Sequence, residues 1–320
     1  MNDQRRHDVV IGTGPVGTAV ARVLAARGRA VRAVNRSGRS TLPPTVPVTA
    51  GDVSDPAFVR RACMGAHVVY YCASPPYAEW PRRFPGMMEA LVKGVAGTGA
   101  RVVFADNLYA YGRVSGPIRE DLPYRATGPK GRARAGAARR LLEEHARGNL
   151  WAAIGRASNF YGPGVADSVV GRRVFEAAAS GKPVELLGDI DLPHSFTYVD
   201  DFARGLVTLG ERDEALGQAW HVANAEAPTT RQFVEEICRQ AGTEPRFRVA
   251  PRLVVSLMSL VNRQMRELKE VLYEFEEPYV VDHSRFQRAF GGEPTPLREG
   301  IRATLQAEGV QTAPAAAVAA

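Results

Sequence analysis

The sequence is short of cysteine, has no long apolar run and contains no Tyr-x-x-x-Lys. Cys63, Cys72 and Cys238 are its only cysteines. An odd number at wide spacing gives neither a disulfide framework nor the paired ligands of a zinc site. No metal is therefore expected, and a reducing cytoplasm is the simplest setting. No run approaches the roughly 18 apolar residues of a membrane span. The first apolar run, VVIGTGPVG, follows polar MNDQRRHD, is broken by glycines and precedes no cleavage site, so it does not read as a signal peptide. The terminal TAPAAAVAA is low-complexity and reads as a frayed tail over 311–320.

Within 320 residues, 45% hydrophobic and 23% charged, there is material for a large core in one big domain or two coupled ones. The formal charge is +7. Arginine carries most of it and is scattered along the chain, a weaker nucleic-acid footprint than a cluster. No helix-turn-helix or basic arm is visible, so neither nucleic acid nor a membrane is an expected partner. The densest local run, TGPKGRARAG at 127–136, sets Lys130, Arg132 and Arg134 on alternating positions with no acid among them.

The first half alternates strand runs with helical patterns. HDVVI, RAVRAVN, PVTAGD, HVVYYCA, RVVFAD and WAAIGRA read as strands. Helices are expected over 18–27, in DPAFVRRACMG, over 85–98 and over 131–147. This alternation predicts an α/β fold, a doubly wound parallel Rossmann sheet. After NFYGPG the pattern loosens: a helix near 169–180, the strand AWHVAN, a Thr-capped helix over 230–241 and an amphipathic stretch over 252–275. The expected division is a dinucleotide-binding domain over 1–164 and about 195–225. A smaller substrate-side domain would take about 165–194 and 226–310.

Gly12-Thr13-Gly14-Pro15-Val16-Gly17 is a G-x-G-x-x-G between a strand and a helix. Its glycines allow a tight turn and close approach of backbone to a pyrophosphate, whose charge faces the helix N-terminus. The second strand ends in Asn35-Arg36-Ser37 rather than an acid. A carboxylate would repel a 2′-phosphate, whereas Arg36 pairs with one, so NADP(H) is the expected cofactor, with NAD(H) the alternative. Asp52 and Val53 fall at the adenine edge. Cys72, Ala73 and Ser74 end the fourth strand, under the ribose and nicotinamide side. Cys72 is expected to pack, not react.

With VIGTGPVG, GDVSD, FADNLYAYG, GRASNFYGPG, HSFTYVDDFARG, WHVAN and PYVVDHSRF, the chain resembles the extended short-chain dehydrogenase/reductase family of the NAD-dependent epimerase/dehydratase type, over about residues 8–305. The resemblance implies a Rossmann domain with a small C-terminal substrate domain and a nicotinamide cofactor, with Ala157, Ser158 and Asn159 beside it. It also implies a Ser or Thr after strand five and a Tyr-x-x-x-Lys on the next helix. The tyrosine exchanges the carbonyl proton; the lysine lowers its pKa and holds the ribose. In this chain those positions fall on Asn107, Lys130 and Arg134. All three catalytic positions are replaced. Arg134 is a poor acid but can hold a ribose or phosphate. Lys130 is either an acid with a lowered pKa or a helix-start lysine facing solvent.

Substrate contacts are expected from Tyr77 and Trp80 in the loop SPPYAEW, and from Asn107, Tyr109, Asn159 and Tyr161. Met87 and Met88 add adaptable apolar contact or pack the core. The expected function is NADPH-dependent reduction of a bulky, aromatic, polyketide-like ketone, with the proton supplied by substrate hydroxyls, water or Lys130. A sugar-nucleotide epimerase or dehydratase and a non-catalytic NADP-sensing protein are the alternatives. A monomer or homodimer fits either.

Overall fold

The computed structural model describes residues 7–250 and 270–310. The expected tail at 311–320, and the amphipathic stretch up to residue 269, lie outside the described residues.

The strands are β1 (His7–Ile11), β2 (Val31–Asn35), β3 (Val48–Ala50), β4 (Ala66–Tyr71), β5 (Arg101–Asn107) and β6 (Trp151–Ala157). They form one parallel sheet with β10 (Ala219–His221), in the order β10-β6-β5-β4-β1-β2-β3. Strands such as VVI and VVYY are apolar at consecutive positions because helices cover both faces of the sheet. On one face lie α1 (Pro15–Ala26) and α6 (Val199–Glu211), packed on Val10, Val68 and Val103. On the other lie α2 (Pro56–Cys63), α3 (Trp80–Val95) and α4 (Pro129–Ala146), packed on Val9, Val69 and Phe104.

A second core gathers α5 (Arg172–Ala179), β8 (Val184–Leu187), α7 (Thr230–Ala241) and α9 (Leu297–Ala307) around Phe175, Phe233 and Ile301. Strand β8 pairs with β11 (Phe247–Ala250), and β7 (Asn159–Tyr161) pairs with β9 (Phe196–Tyr198). Helix α8 (Ser284–Phe290) returns Phe286 and Phe290 to the α1/α6 side of the first core. Thr229 caps α7 in a full capping box with Gln232, and Gly242 ends the helix in the left-handed conformation.

Helices α1, α3, α4 and α5 start at Pro15, Trp80, Pro129 and Arg172 rather than at the expected 18, 85, 131 and 169, and proline bears on the first two. Helix α1 begins at Pro15 rather than residue 18, because a proline at the first helical position loses no intrahelical bond. Helix α3 begins at Trp80 and carries Pro85 inside it. Only one bond, to the carbonyl four residues back, is forgone there, close to a helix end where bonds are missing anyway.

Candidate active site

The glycine-rich turn joins β1 to α1, and its three glycines do different work. Gly12 adopts φ 95°, and a Cβ there would lie 2.7 Å from the Ala73 backbone. A Cβ on Gly17 would lie 1.8 Å from the Gly12 carbonyl oxygen. These two permit the turn and the close packing of helix on strand. Gly14 is unlike them: a Cβ there meets nothing within 4 Å. Gly14 is also the N-cap of α1, and no side chain caps that terminus. Open space in front of uncapped amides is the shape and polarity a pyrophosphate requires, so these residues fit a dinucleotide. Pro15 and Val16 form the first turn of α1 behind this opening.

Asn35 organises the neighbouring loop. Its Nδ2 donates to Thr13 Oγ1 and to the Arg39 carbonyl, both at 2.7 Å. Its Oδ1 accepts from the backbone amides of Ser37 at 3.0 Å and Gly38 at 2.6 Å. The side chain thus ties the end of β2 to the glycine turn, leaving Arg36 and Ser37 exposed on the same loop. Asp52 is exposed and turns its Oδ1 to the Ser54 amide at 2.9 Å; Val53 is buried in the core beside it. At the end of β4, burial pushes the Cys72 thiol up to about 12, a packing cysteine. Ala73 faces Gly12, and Ser74 is exposed. Ala157 is buried, and Ser158 donates its amide to Thr197 Oγ1 at 3.1 Å.

The three replaced positions come together at the C-terminal end of β5 and the start of α4. Asn107 Oδ1 accepts from the Tyr109 amide at 3.2 Å. Lys130 is 1% exposed, which corrects the reading of it as a solvent-facing lysine. Its Nζ lies 3.2 Å from Glu270 Oε2 and 4.6 Å from the Tyr77 ring centroid. The register that put Lys130 one residue into α4 explains this, since the first inward position of that helix faces the site. Arg134 is buried one turn on. Its Nε lies 3.4 Å from Asp106 Oδ1, and its guanidinium lies 4.4 Å over Trp80 and 4.6 Å over Phe84. Burial, more than the Asp106 charge restores, lowers its pKa. The guanidinium points at Asp106 and these rings, where a ribose-holding lysine was the family expectation. Asp106 also accepts from Arg156 Nε at 3.0 Å, so one buried carboxylate faces two guanidinium groups.

Tyr77, Trp80 and Tyr109 do meet. The Tyr77 and Tyr109 hydroxyls are 3.4 Å apart, and the Tyr77 and Trp80 centroids are 5.1 Å apart. The indole donates to the Pro75 carbonyl at 3.0 Å, which fixes the loop. Tyr161 does not join them: it is 1% exposed, packed against Tyr198 and Phe233 in the second core. Met87 and Met88 are likewise core residues.

The sequence reading missed the polar residues of 270–279. Glu274 is 1% exposed, and its Oε2 accepts from Asn159 Nδ2 at 3.2 Å. The same Nδ2 lies 3.0 Å from His194 Nε2, while His194 Nδ1 lies 3.1 Å from the Glu274 carbonyl oxygen. The set fits a neutral imidazole that accepts at Nε2 and donates at Nδ1. The ring stacks between Phe275, Phe196 and Tyr279, and burial lowers its pKa to about 3. A cavity of about 320 Å³ opens beside this cluster, lined in part by Tyr109, Gly131, Glu270 and Tyr273. The available signal was the three acids inside the aromatic run VLYEFEEPY, of which the structure buries Glu274.

The NAD dependent epimerase/dehydratase family model matches residues 9–223, and the chain belongs to that family. No curated protein matches the sequence. Solved structures share the fold. The dTDP-glucose 4,6-dehydratase DesIV of Streptomyces venezuelae, with NAD bound, is 18% identical, with TM-score 0.77 over 95% of this chain and 97% of that one. The UDP-glucuronic acid 4-epimerase of Bacillus cereus, with NAD, is 18% identical, with TM-score 0.74 over 94% and 98%. The enzyme WbmH of Bordetella bronchiseptica, with NAD+, is 19% identical, with TM-score 0.72 over 94% and 98%. No helix among the described residues is long and apolar enough to cross a membrane.

Proposed function

We propose that the protein is an NADPH-dependent reductase of a bulky, aromatic ketone. One observation carries this reading: the residues at the tyrosine and lysine positions, Lys130 and Arg134, are cations buried against carboxylates. A reaction that begins by oxidising a hydroxyl needs a base at the tyrosine position. An ammonium paired with Glu270 is not one. Reduction runs the other way and asks the site for a proton and for positioning. The bound cofactor would supply hydride. Gly12, Gly14 and Gly17 would hold its pyrophosphate, and Arg36 would pair with a 2′-phosphate. Tyr77, Trp80 and Tyr109 offer flat apolar faces and phenolic hydroxyls to a polycyclic substrate. In its losses the chain resembles the atypical family member that reduces an angucyclinone ketone in simocyclinone biosynthesis, and antibiotic tailoring is the corresponding role.

A second reading, a sugar-nucleotide epimerase or dehydratase, is supported by the family match and by the enzymes that share the fold. Anaerobic titration separates the two. NADPH oxidation on adding polycyclic phenolic ketones supports the reductase. NAD retained through purification, with turnover of a nucleotide-linked sugar, would replace that reading with the second.

A further inference from the structure

The hydrogen bonds around Asn35 leave one hydroxyl proton without an acceptor. Asn35 Oδ1 accepts the backbone amides of Ser37 at 3.0 Å and Gly38 at 2.6 Å. Two N–H groups aimed at one atom fix that atom as the oxygen. Nδ2 is therefore the group that lies 2.7 Å from Thr13 Oγ1 and 2.7 Å from the Arg39 carbonyl oxygen. Both of its protons are spent on these two bonds. An amide nitrogen donates and does not accept, so Thr13 Oγ1 is the acceptor. The Thr13 hydroxyl proton must then point away from Asn35, and it has no acceptor among the described residues. The backbone beneath it is held, because Thr18 Oγ1 donates to the Thr13 carbonyl at 3.1 Å.

The rest of the loop is spent on itself. Ser37 Oγ accepts the Arg39 amide at 3.2 Å and donates to Asn35 Oδ1 at 3.4 Å. The amides of Ser37, Gly38 and Arg39 are all engaged inside the loop. Within 35–39, the side-chain donors left over are the exposed guanidinium groups of Arg36 and Arg39. Across from them, on the glycine turn, is the Thr13 hydroxyl. Its place in the site is defined on two sides. Gly14, the next residue, opens uncapped amides to a pyrophosphate. Asn35 ends β2, where a dinucleotide fold sets the 2′ position of the adenosine ribose.

We propose that the Thr13 hydroxyl donates to the 2′-phosphate of NADP(H), and that Asn35 is the positioning residue that makes it a donor. The inference rests on the NADPH part of the reading above. A phosphate offers acceptors only, so a hydroxyl reads it when its own oxygen is already occupied by another donor. An acid at position 35 would do the opposite: its carboxylate would take the Thr13 proton and repel the phosphate. Asn35 thus acts on cofactor choice through Thr13, and Ser37 is a brace of the loop instead of a ligand.

The test is isothermal titration of the full-length protein with adenosine 2′,5′-bisphosphate and adenosine 5′-monophosphate, which differ only in the 2′-phosphate. Thermal melting of each variant accompanies it. Wild type should favour the bisphosphate. Thr13→Val should lose about tenfold in bisphosphate affinity, the weight of one charge-assisted hydrogen bond, and less than about threefold in monophosphate affinity. Thr13→Ser keeps the hydroxyl and should stay within about threefold of wild type for both. The tenfold loss should recur in an Arg36→Ala background, as for two independent contacts. If it disappears there, Thr13 only holds the loop that carries Arg36, and the proposal fails. It fails too if Thr13→Val weakens both ligands equally, or neither. Asn35→Asp leaves Thr13 in place and still accepts the two loop amides, yet it should abolish the preference for the bisphosphate; a preserved preference overturns the role of Asn35. Equal wild-type affinity for the two ligands fails the NADPH reading, and the Thr13 assignment falls with it. A wild-type preference that survives Thr13→Val fails the assignment alone.

Discussion

Glu270 holds Lys130 at two points: Oε2 lies 3.2 Å from Nζ, and Oε1 accepts the Lys130 backbone amide at 2.7 Å. One carboxylate therefore caps the N-terminus of α4 and neutralises the side chain that stands in for the family tyrosine. The pair is enclosed, with side-chain exposures of 2% and 14%. Removing one partner of such a pair leaves a desolvated charge. Lys130→Met is expected to lower the unfolding free energy by about 2–4 kcal/mol, measured by denaturant titration. Glu270→Gln, which keeps a cap acceptor, should cost less. Equal stability of wild type and Lys130→Met would show that the pair carries no such weight.

Arg134 and Asp106 lead to a second expectation. The family residue at position 134 is a lysine, yet Arg134→Lys should not be benign. A lysine cannot lie flat over Trp80 and Phe84 while reaching Asp106 as the guanidinium does. The loss should be about 1–3 kcal/mol in stability. Because the guanidinium is directed at Asp106, NADPH affinity should change less than about threefold, a shift under 1 kcal/mol. A tenfold loss of NADPH affinity with unchanged melting would instead make Arg134 a cofactor ligand.

The glycine turn separates folding from binding. Gly14→Ala puts a methyl into open space, so melting should be unchanged. The same methyl lies where a pyrophosphate would approach the backbone, so cofactor affinity should fall about tenfold or more. Gly17→Ala drives a Cβ onto the Gly12 carbonyl and should destabilise the fold outright. Isothermal titration with NADPH and thermal melting of both variants decide it; equal behaviour of the two would defeat the distinction.

Arg36 tests cofactor choice. It is exposed at the end of β2 and has no ion pair among the described residues, so Arg36→Ala should leave stability alone. NADPH affinity should fall about 10- to 100-fold, the weight of a charge-assisted phosphate contact, with NADH affinity unchanged. Equal loss for both cofactors would place Arg36 away from the 2′ position.

The sheet was legible because its strands have apolar cores flanked by glycines, as in VVI before Gly12 and VVYY after Gly65, and β5 and β6 gave the register that located Asn107, Lys130 and Arg134. Asn35 and Arg36 were legible as a missing acid. The environment of those residues was not. Whether Lys130 faces solvent depends on Glu270, which lies 140 residues away. Arg134 turns inward because Asp106 is one residue before Asn107, a neighbour whose direction alternates with the strand. Tyr161 shares a motif with Asn159 but packs against Tyr198 and Phe233 in the second core. Glu274 and His194 form a site only through Asn159, and a contact among three distant segments leaves no periodic trace in a sequence.

The buried acid and histidines fix how stability depends on pH. The Glu274 pKa is raised from 4.5 to about 8, so between those values the folded chain holds a proton the unfolded chain has lost. Stability from this group falls as pH rises through that window. His194 and His221 are lowered from 6.5 to about 3, chiefly by burial. Between those values the unfolded chain holds the extra protons, and stability rises with pH. Below pH 6.5 the histidines outweigh the one acid, His7 and His283 being lowered as well; between 6.5 and about 8 Glu274 is the group among these that still titrates. Stability is therefore expected to peak near pH 6.5 and to fall by about 2 kcal/mol toward pH 8, at ~1.4 kcal/mol per pH unit for one proton. Glu274→Gln should flatten the alkaline side and leave the acid side in place. Denaturant melts of both proteins across pH 4–9 measure this, and an alkaline slope that survives in Glu274→Gln would assign it to another group.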